Sequence, residues 1–181
     1  MNKQIINSSL SDSEKFELIN STEEKLWFND VCEAFDCALK KFPSNNLLNV
    51  NEDTFTYSET AAEINTLSKQ LSSMNIKPGD RVGILATRSA LYLVEAMSIL
   101  SIGAVYVPLD LDLPLNRIEY MLENAEVNAC IVTKEIDAEY KDTIESVCKY
   151  GCILYEPMKI KNEAQYLNYL KCDNKNAACI L

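Results

Sequence analysis

The side chains that most often carry out acid–base catalysis are scarce in this sequence of 181 residues, which contains no histidine. A serine or cysteine hydrolase of the usual kind needs an imidazole to take the proton from its nucleophile. Most of the usual acid–base chemistry is therefore absent, and we expect no hydrolase of these classes.

The seven cysteines are the next candidates, because thiolates act as nucleophiles and as metal ligands. Cys32 with Cys37, and Cys148 with Cys152, are the close pairs, and neither forms a CxxC motif. Without histidine, a zinc site would need an all-thiolate or carboxylate ligand set. An odd number of irregularly spaced cysteines is typical of reduced thiols inside cells. We therefore predict free thiols, no metal site and a cytoplasmic protein.

Four further residues stand where chemistry could occur, and each has a structural interpretation beside the chemical one. Asp110 follows a predicted strand, where α/β sites form, but aspartate is also favoured in turns and helix caps. Arg88 could face a ligand phosphate or close the first turn of a helix. Tyr106 is typical of sheet packing, and Glu59 of helix initiation. We assign no catalytic, cofactor-binding or metal-binding residue.

Strands that alternate with helices would position these residues. Helices are predicted near 11–19 and over 29–42, 56–74, 90–102, 112–124, 138–149 and 163–170. Strands are predicted over 81–86, 104–107, 129–132, 151–155 and 177–181, with a hairpin of 47–51 and 54–57. Because the strands are nearly continuous apolar runs, we expect an α/β fold with a mostly parallel sheet flanked by helices on both faces.

Several local signals sharpen these boundaries. Residues 56–59, Thr-Tyr-Ser-Glu, match a capping box, followed by an apolar stripe at spacings of three and four. Gly103 is expected to close the helix over 90–102, Pro108 to stop the strand that follows, and Pro114 to occupy the first turn of the next helix. In the helix over 29–42, one face is predicted to carry Val31, Phe35, Leu39 and Phe42.

The overall charge limits the partners. The formal net charge is −10, whereas nucleic acids and anionic membrane surfaces attract clusters of lysine and arginine. No segment approaches the roughly 20 apolar residues that span a bilayer, and residues 1–12 do not resemble a signal peptide. We therefore expect neither a nucleic acid nor a membrane as a partner.

Several stretches of the sequence resemble the motifs of a known protein family. Residues 100–110, Leu-Ser-Ile-Gly-Ala-Val-Tyr-Val-Pro-Leu-Asp, form a helix end, a glycine and a strand exit, and Phe-Thr-Tyr-Ser-Glu stands earlier at 55–59. Lys-Pro-Gly-Asp-Arg-Val-Gly-Ile lies between them at 77–84, with Arg-Ser at 88–89, and further matches follow at 113–114 and 117–125. In order and spacing, this set resembles the AMP-forming adenylation domains of nonribosomal peptide synthetases. The likeness covers nearly the whole chain.

The departures from the family pattern bear on stability and family branch more than on chemistry. Thr60 stands where the first motif usually has leucine, and Leu111 where the second usually has proline. Ser101 and Ile102 replace lysine and alanine, and Asn124 replaces aspartate. A relative such as an acyl-CoA or aryl-acid ligase therefore remains an alternative.

The resemblance implies that the chain is cut off before its phosphate-binding loop. In the family, residues 176–181 would lead into a Thr/Ser/Gly-rich loop that ends in lysine, whereas the four glycines here, at 79, 83, 103 and 151, are not clustered. We expect a lead-in segment with a short helix over 1–25 and the N-terminal part of an adenylation domain over 26–181.

The complete domain would activate an amino acid or related carboxylic acid with ATP and Mg²⁺. It would then pass the acyl-AMP to the phosphopantetheine thiol of a downstream carrier protein domain. This fragment is expected to hold no cofactor and to be inactive alone, with the remainder of the adenylation domain and the carrier as its partners. Half of a split enzyme completed by a second chain, a non-catalytic interaction module and a remnant are the alternatives. A nicotinamide-binding enzyme would lack its glycine loop.

Overall fold

The computed structural model describes residues 30–50, 52–85, 89–132, 138–158 and residue 167. Its helices are α1 (Val31–Lys41), α2 (Tyr57–Ser73), α3 (Tyr92–Ser101), α4 (Leu115–Asn124) and α5 (Ala138–Val147). Its strands are β1 (Asn46–Val50), β2 (Asp53–Thr56), β3 (Arg81–Leu85), β4 (Val105–Leu109), β5 (Ala129–Val132) and β6 (Cys152–Leu154). The helix predicted near 11–19 and the strand predicted over 177–181 lie outside the described residues, as does all but residue 167 of the helix predicted over 163–170.

Four of the strands form one parallel sheet in the order β4-β3-β5-β6. The central strand β3 pairs with β4 on one side and β5 on the other, so that Val82 lies opposite both Tyr106 and Ala129. Each parallel connection passes through a helix, as a crossover between parallel strands requires. The predicted mostly parallel α/β sheet is confirmed.

Apolar side chains cover both faces of this sheet. One face packs against α2 and α3 through a cluster that includes Ile84, Ile131, Ile64 and Val94. The other face packs against α4 and α5 through a second cluster that includes Leu85, Val132, Ile118, Leu122 and Ile144. Successive residues of a strand point to opposite faces, so strands buried on both sides need the apolar runs seen in this sequence.

The capping box at the start of α2 is formed as predicted. The Thr56 hydroxyl accepts a hydrogen bond from the Glu59 amide at 3.2 Å, and the Glu59 carboxylate accepts one from the Thr56 amide at 2.8 Å. The apolar stripe that follows is buried at Ala61, Ile64, Leu67 and Leu71. Helix initiation therefore accounts for the position of Glu59.

Gly103 ends α3, also as predicted. Its φ is +74°, its amide donates to the Leu100 carbonyl at 2.9 Å, and the Ala104 amide donates to the Ile99 carbonyl at 3.2 Å. This pair of bonds is a Schellman motif, which favours glycine at the left-handed position. The turn directs the chain from the helix into β4.

The first helix is shorter than predicted, and only half of its expected face is buried. Asp30 caps α1 by accepting from the Glu33 amide at 2.7 Å, and Phe35 and Leu39 are buried. Val31 and Phe42 are instead 51% and 42% exposed. Both lie at the helix ends, and Phe42 has left the helical conformation with a φ of −137°.

The two proline predictions were wrong in position. Pro108 lies inside β4, opposite Ile84, and does not stop the strand. A proline is tolerated there because β4 is an edge of the described sheet, where a missing N–H need not break a ladder. Pro114 is the N-cap of α4, with an extended ψ of 141°, and the helix begins one residue later.

The helix predicted over 112–124 begins three residues late, at Leu115, and the remaining predicted elements agree with the structure to within one or two residues. The hairpin is antiparallel, with Val50 opposite Asp53, and Tyr57 begins α2 where the sequence predicted the end of a strand. Among the helices that the structure describes, none has the length and apolar character to cross a membrane.

Candidate functional site

In an open parallel sheet, ligands bind beyond the carboxyl ends of the strands, where the strand order reverses direction. Here the order reverses between β3 and β5, since β4 lies on one side of β3 and the later strands lie on the other. The residues directly after these two strands, 86–88 and 133–137, are outside the described parts of the chain, and Arg88 is among them. The described residues at this edge follow β4 and β6.

Asp110, which follows β4, forms a turn. Its carboxylate accepts a hydrogen bond from the Asp112 amide at 2.9 Å, and its carbonyl accepts one from the Leu113 amide at 3.1 Å. This is an Asx-turn, in which an aspartate side chain bonds the backbone two residues later. This geometry is the one expected if Asp110 has a structural role in a turn.

Tyr106 lies within β4 and is half-buried. Its ring meets that of Tyr92 edge to face, with centroids 6.1 Å apart and planes at 88°. Edge-to-face geometry is a favoured packing arrangement for aromatic rings. The contact joins β4 to the first turn of α3, as expected for a sheet-packing aromatic.

Beyond β6, a buried carboxylate joins α2 to the chain that leaves the sheet. Glu63 on α2 is 1% exposed. It accepts a hydrogen bond from the Tyr155 hydroxyl at 2.9 Å and another from the Met158 amide at 3.1 Å. The Tyr155 amide in turn donates to the Val132 carbonyl at 2.7 Å, which extends the ladder of β5 and β6 by one bond.

Glu95 brings a second carboxyl group to the same region from α3. It is 0% exposed, and neither of its oxygens has a hydrogen-bond partner within the described part of the chain. Burial raises the pKa of Glu95 to about 8. Glu95 is therefore mostly protonated at neutral pH. The pKa of Tyr155 is also raised, first by burial, then by the negative charge of Glu63 and its hydrogen bond, and last by Glu95 once that carboxyl group has ionised.

An open cleft of about 240 Å³ lies beside this cluster. It is lined by Glu63, Thr66, Gln70, Leu154, Tyr155, Glu156 and Met158. Two of these side chains are carboxylates and none is basic, so the cleft favours a cation or a hydrogen-bond donor over a phosphate group. The cleft therefore does not suit the phosphates of a nucleotide.

The sequence prediction missed Glu63, Glu95 and Tyr155 as a group. One signal was present, because Glu95 is the single charged residue in the apolar run over 90–102. Glu63 gave no such signal, since it stands on a helix with polar residues on several sides. Within the described residues, no group of three or more cysteine, aspartate or glutamate side chains is arranged to hold a metal ion.

All four glycines of the chain lie among the residues that the structure describes, and each has a structural role. Gly79, Gly103 and Gly151 have positive φ angles of 86°, 74° and 70°. Gly83 lies inside β3, where a Cβ atom would stand 2.9 Å from the Cys130 sulfur and 3.1 Å from a Leu109 methyl carbon. None of the four belongs to a glycine-rich loop that could surround phosphate.

Comparison with known protein families identifies one that matches this chain. The family described as "AMP-binding enzyme" matches residues 35–177. The chain is 27% identical to tyrocidine synthase 3 of Brevibacillus parabrevis over 145 residues, which are 78% of this chain and 2% of that synthase.

Two solved structures share the fold of this chain. The nonribosomal peptide synthetase FmoA3, in an α-methyl-L-serine-AMP bound form, is similar with a TM-score of 0.63 and 19% identity over 77% of this chain and 15% of that one. NpsA-ThdA of Klebsiella oxytoca, an artificially fused adenylation–PCP di-domain, has a TM-score of 0.54 and 28% identity over 56% of this chain and 19% of that one. The chain therefore spans a small part of each of these three proteins.

Proposed function

Since this chain belongs to the AMP-binding enzyme family, we propose that its complete domain activates an amino acid, or a related carboxylic acid, with ATP. The chain itself is the N-terminal region of an adenylating domain of the nonribosomal peptide synthetase type, as the motifs indicated. The domain boundary near residues 25 and 26 stays a prediction.

The observation that carries this proposal is the extent of the family match, residues 35–177, over the part of the chain that holds the parallel sheet. The comparisons support a peptide-synthetase branch over an acyl-CoA ligase, because the NpsA-ThdA di-domain, which is 28% identical to this chain, is a nonribosomal peptide synthetase by name. The acid that is activated is left open, because no described residue is assigned to a pocket that would recognise it.

In the proposed reaction, a carboxylate oxygen of the acid attacks the α-phosphorus of ATP and pyrophosphate leaves. The acyl-AMP then passes its acyl group to a thiol on a carrier protein, and AMP leaves. The described residues do not suit the ATP phosphates, because the cleft beyond β6 is acidic and the four glycines have structural tasks. We therefore place the groups that bind ATP, Mg²⁺ and the carrier's phosphopantetheine outside the described residues of this chain.

The chain's own contribution is a scaffold. The sheet β4-β3-β5-β6 is held between two apolar layers, and its carboxyl edge is the side on which α/β proteins bind ligands. This arrangement supports a role in positioning downstream loops. We propose that the chain alone does not form acyl-AMP.

The coding DNA beyond the codon for Leu181 tests the proposal. We expect a Thr/Ser/Gly-rich segment that ends in lysine, either in frame or at the start of a second gene. The in-frame result means a continuous adenylation domain, and the second result means a split enzyme completed by another chain. Unrelated sequence with no complementary gene nearby would overturn the catalytic proposal and leave a non-catalytic module or a remnant.

A further inference from the structure

Two cysteines that are distant in the sequence meet on one face of the sheet. Cys130 lies in β5, Cys148 lies in the turn directly after α5, and their sulfur atoms are 3.7 Å apart. The β5–α5–β6 crossover folds α5 back over the sheet and so brings these positions together. Neither cysteine is in a disulfide, and the sulfurs lie within hydrogen-bonding distance of each other.

The neighbouring strand also confines the Cys130 sulfur. Gly83 on the neighbouring strand leaves room for it, because a Cβ atom there would stand only 2.9 Å from this sulfur. Cys130 is 0% exposed and Cys148 is 3% exposed. The contact between the two thiols is therefore held within the second apolar cluster and not on the surface.

The two thiols differ in acidity. The hydrogen bond from the Cys130 thiol lowers the pKa of Cys148, and the same bond, together with burial, raises the pKa of Cys130. Cys148 is thus the sulfur that ionises first, and the thiolate is the reactive form of cysteine. Cys152, which is half-buried beside them, has a raised pKa because of burial and the nearby Glu145 carboxylate.

We propose that Cys130 and Cys148 are a redox-active dithiol, which a peroxide converts to an intramolecular disulfide. Cys148 takes the first attack, because it lies in a turn at the end of α5, and Cys130 is the resolving thiol. Neither residue belongs to the acidic cleft beyond β6, and the proposal does not depend on the adenylating activity.

The reaction balances in two steps. The Cys148 thiolate attacks one oxygen of hydrogen peroxide, the O–O bond breaks, and the hydroxide that leaves takes up a proton to give water. The Cys130 thiol then attacks the resulting sulfenic acid at sulfur; the S–O bond breaks, and hydroxide leaves as water with the Cys130 proton. Two thiols lose two electrons in total, and one peroxide is reduced to two waters.

The fold allows the small movement that this reaction needs. A disulfide bond is about 2.0 Å long, whereas the sulfurs are 3.7 Å apart. Cys148 follows the last residue of α5, and its amide still donates to the Ile144 carbonyl of that helix at 2.8 Å. The turn from Cys148 to Gly151 is tied to β5 at its far end, where the Cys130 amide donates to the Gly151 carbonyl at 3.0 Å. The approach therefore needs a movement of the two side chains and a small shift of the end of α5, and the strands stay paired. The bond would tie the end of α5 to β5.

Peptide mapping of the full chain tests the proposal. The reduced protein is treated with hydrogen peroxide under native conditions, free thiols are alkylated after unfolding, and the digest is analysed by mass spectrometry. We expect a cross-linked peptide pair that contains Cys130 and Cys148 and is two hydrogens lighter than the reduced pair, and we expect dithiothreitol to reverse it. The proposal is overturned if both residues stay alkylatable while the exposed Cys37 is oxidised.

Two variants and one control variant distinguish this pair from the other cysteines. Cys152→Ser should leave the cross-link unchanged, and a bond between Cys148 and Cys152 in the natural chain would contradict the assignment. Cys148→Ser should leave Cys130 as a free thiol after the same treatment, with Cys37→Ser as the matched control that keeps the cross-link. If Cys148→Ser does not fold, as judged by circular dichroism, the map of the natural chain still decides.

Discussion

Glu95 places on α3 a carboxyl group that is 0% exposed and lies near enough to Tyr155 to affect the pKa of its hydroxyl. Burial raises the pKa of Glu95 from 4.5 to about 8 in the folded chain. Between these two values, the unfolded chain has lost the proton that the folded chain still holds. Since the unfolded state then binds fewer protons, the free energy of unfolding falls as the pH rises through this window.

The variant Glu95→Gln should remove this pH dependence, because an amide is close in shape to the carboxyl group and does not ionise. We expect the melting temperature of the natural chain to fall relative to that of Glu95→Gln as the pH is raised from about 5 to about 8. Circular dichroism melts at several pH values measure the difference. Glu123→Gln, at an exposed position on α4, is the control, and a difference that stays constant across the range would contradict the assignment.

Residue-scale chemistry was the least predictable part of this molecule. Glu63, Glu95 and Tyr155 come from α2, α3 and the end of β6, so their meeting depends on tertiary packing that no local pattern encodes. The same holds for Cys130 and Cys148, because the sequence drew attention to Cys148 and Cys152 by spacing alone. Asp110 and Glu59 were interpretable because caps and turns act within three residues.

At the scale of elements, the helix α2 depends on its capping box. Thr56→Ala removes the hydroxyl that accepts the Glu59 amide at 3.2 Å, and loss of such a cap costs about 1 kcal/mol. Urea unfolding should therefore show a lower midpoint at an unchanged slope.

The matched control for this change is Thr66→Ala, within the same helix. The Thr66 hydroxyl donates to the Ala62 carbonyl at 2.8 Å and caps nothing, and alanine has the higher helix propensity. We expect Thr66→Ala to cost clearly less than Thr56→Ala. Equal losses from the two substitutions would show that the cap does not stabilise α2.

Elements were predicted well where the signal is local. The capping box at 56–59, the glycine that ends α3 and the apolar runs of β3 and β5 each act within a few residues. The predictions failed where contacts with the rest of the fold decide the position or exposure of a residue. Pro108 is compatible with β4 because that strand is an edge of the described sheet, and Phe42 is exposed because α1 ends one residue earlier.

At the scale of the whole molecule, the alternation of strands and helices was enough to predict a parallel sheet with both faces covered. The order β4-β3-β5-β6 was not predictable in this way, since an alternating pattern does not say on which side of β3 each later strand adds. That order places the reversal point between β3 and β5. The proposed function rests on the family match over residues 35–177 more than on any described side chain.

Amino-acid-dependent ATP–pyrophosphate exchange tests the central claim most directly. It would be measured on the 181-residue chain and on the same chain joined to, or mixed with, the polypeptide encoded beyond Leu181. We predict no exchange by the chain alone, and exchange once a phosphate-binding loop is supplied. Exchange by the chain alone, or none by the completed domain with any amino or aryl acid, would contradict the account.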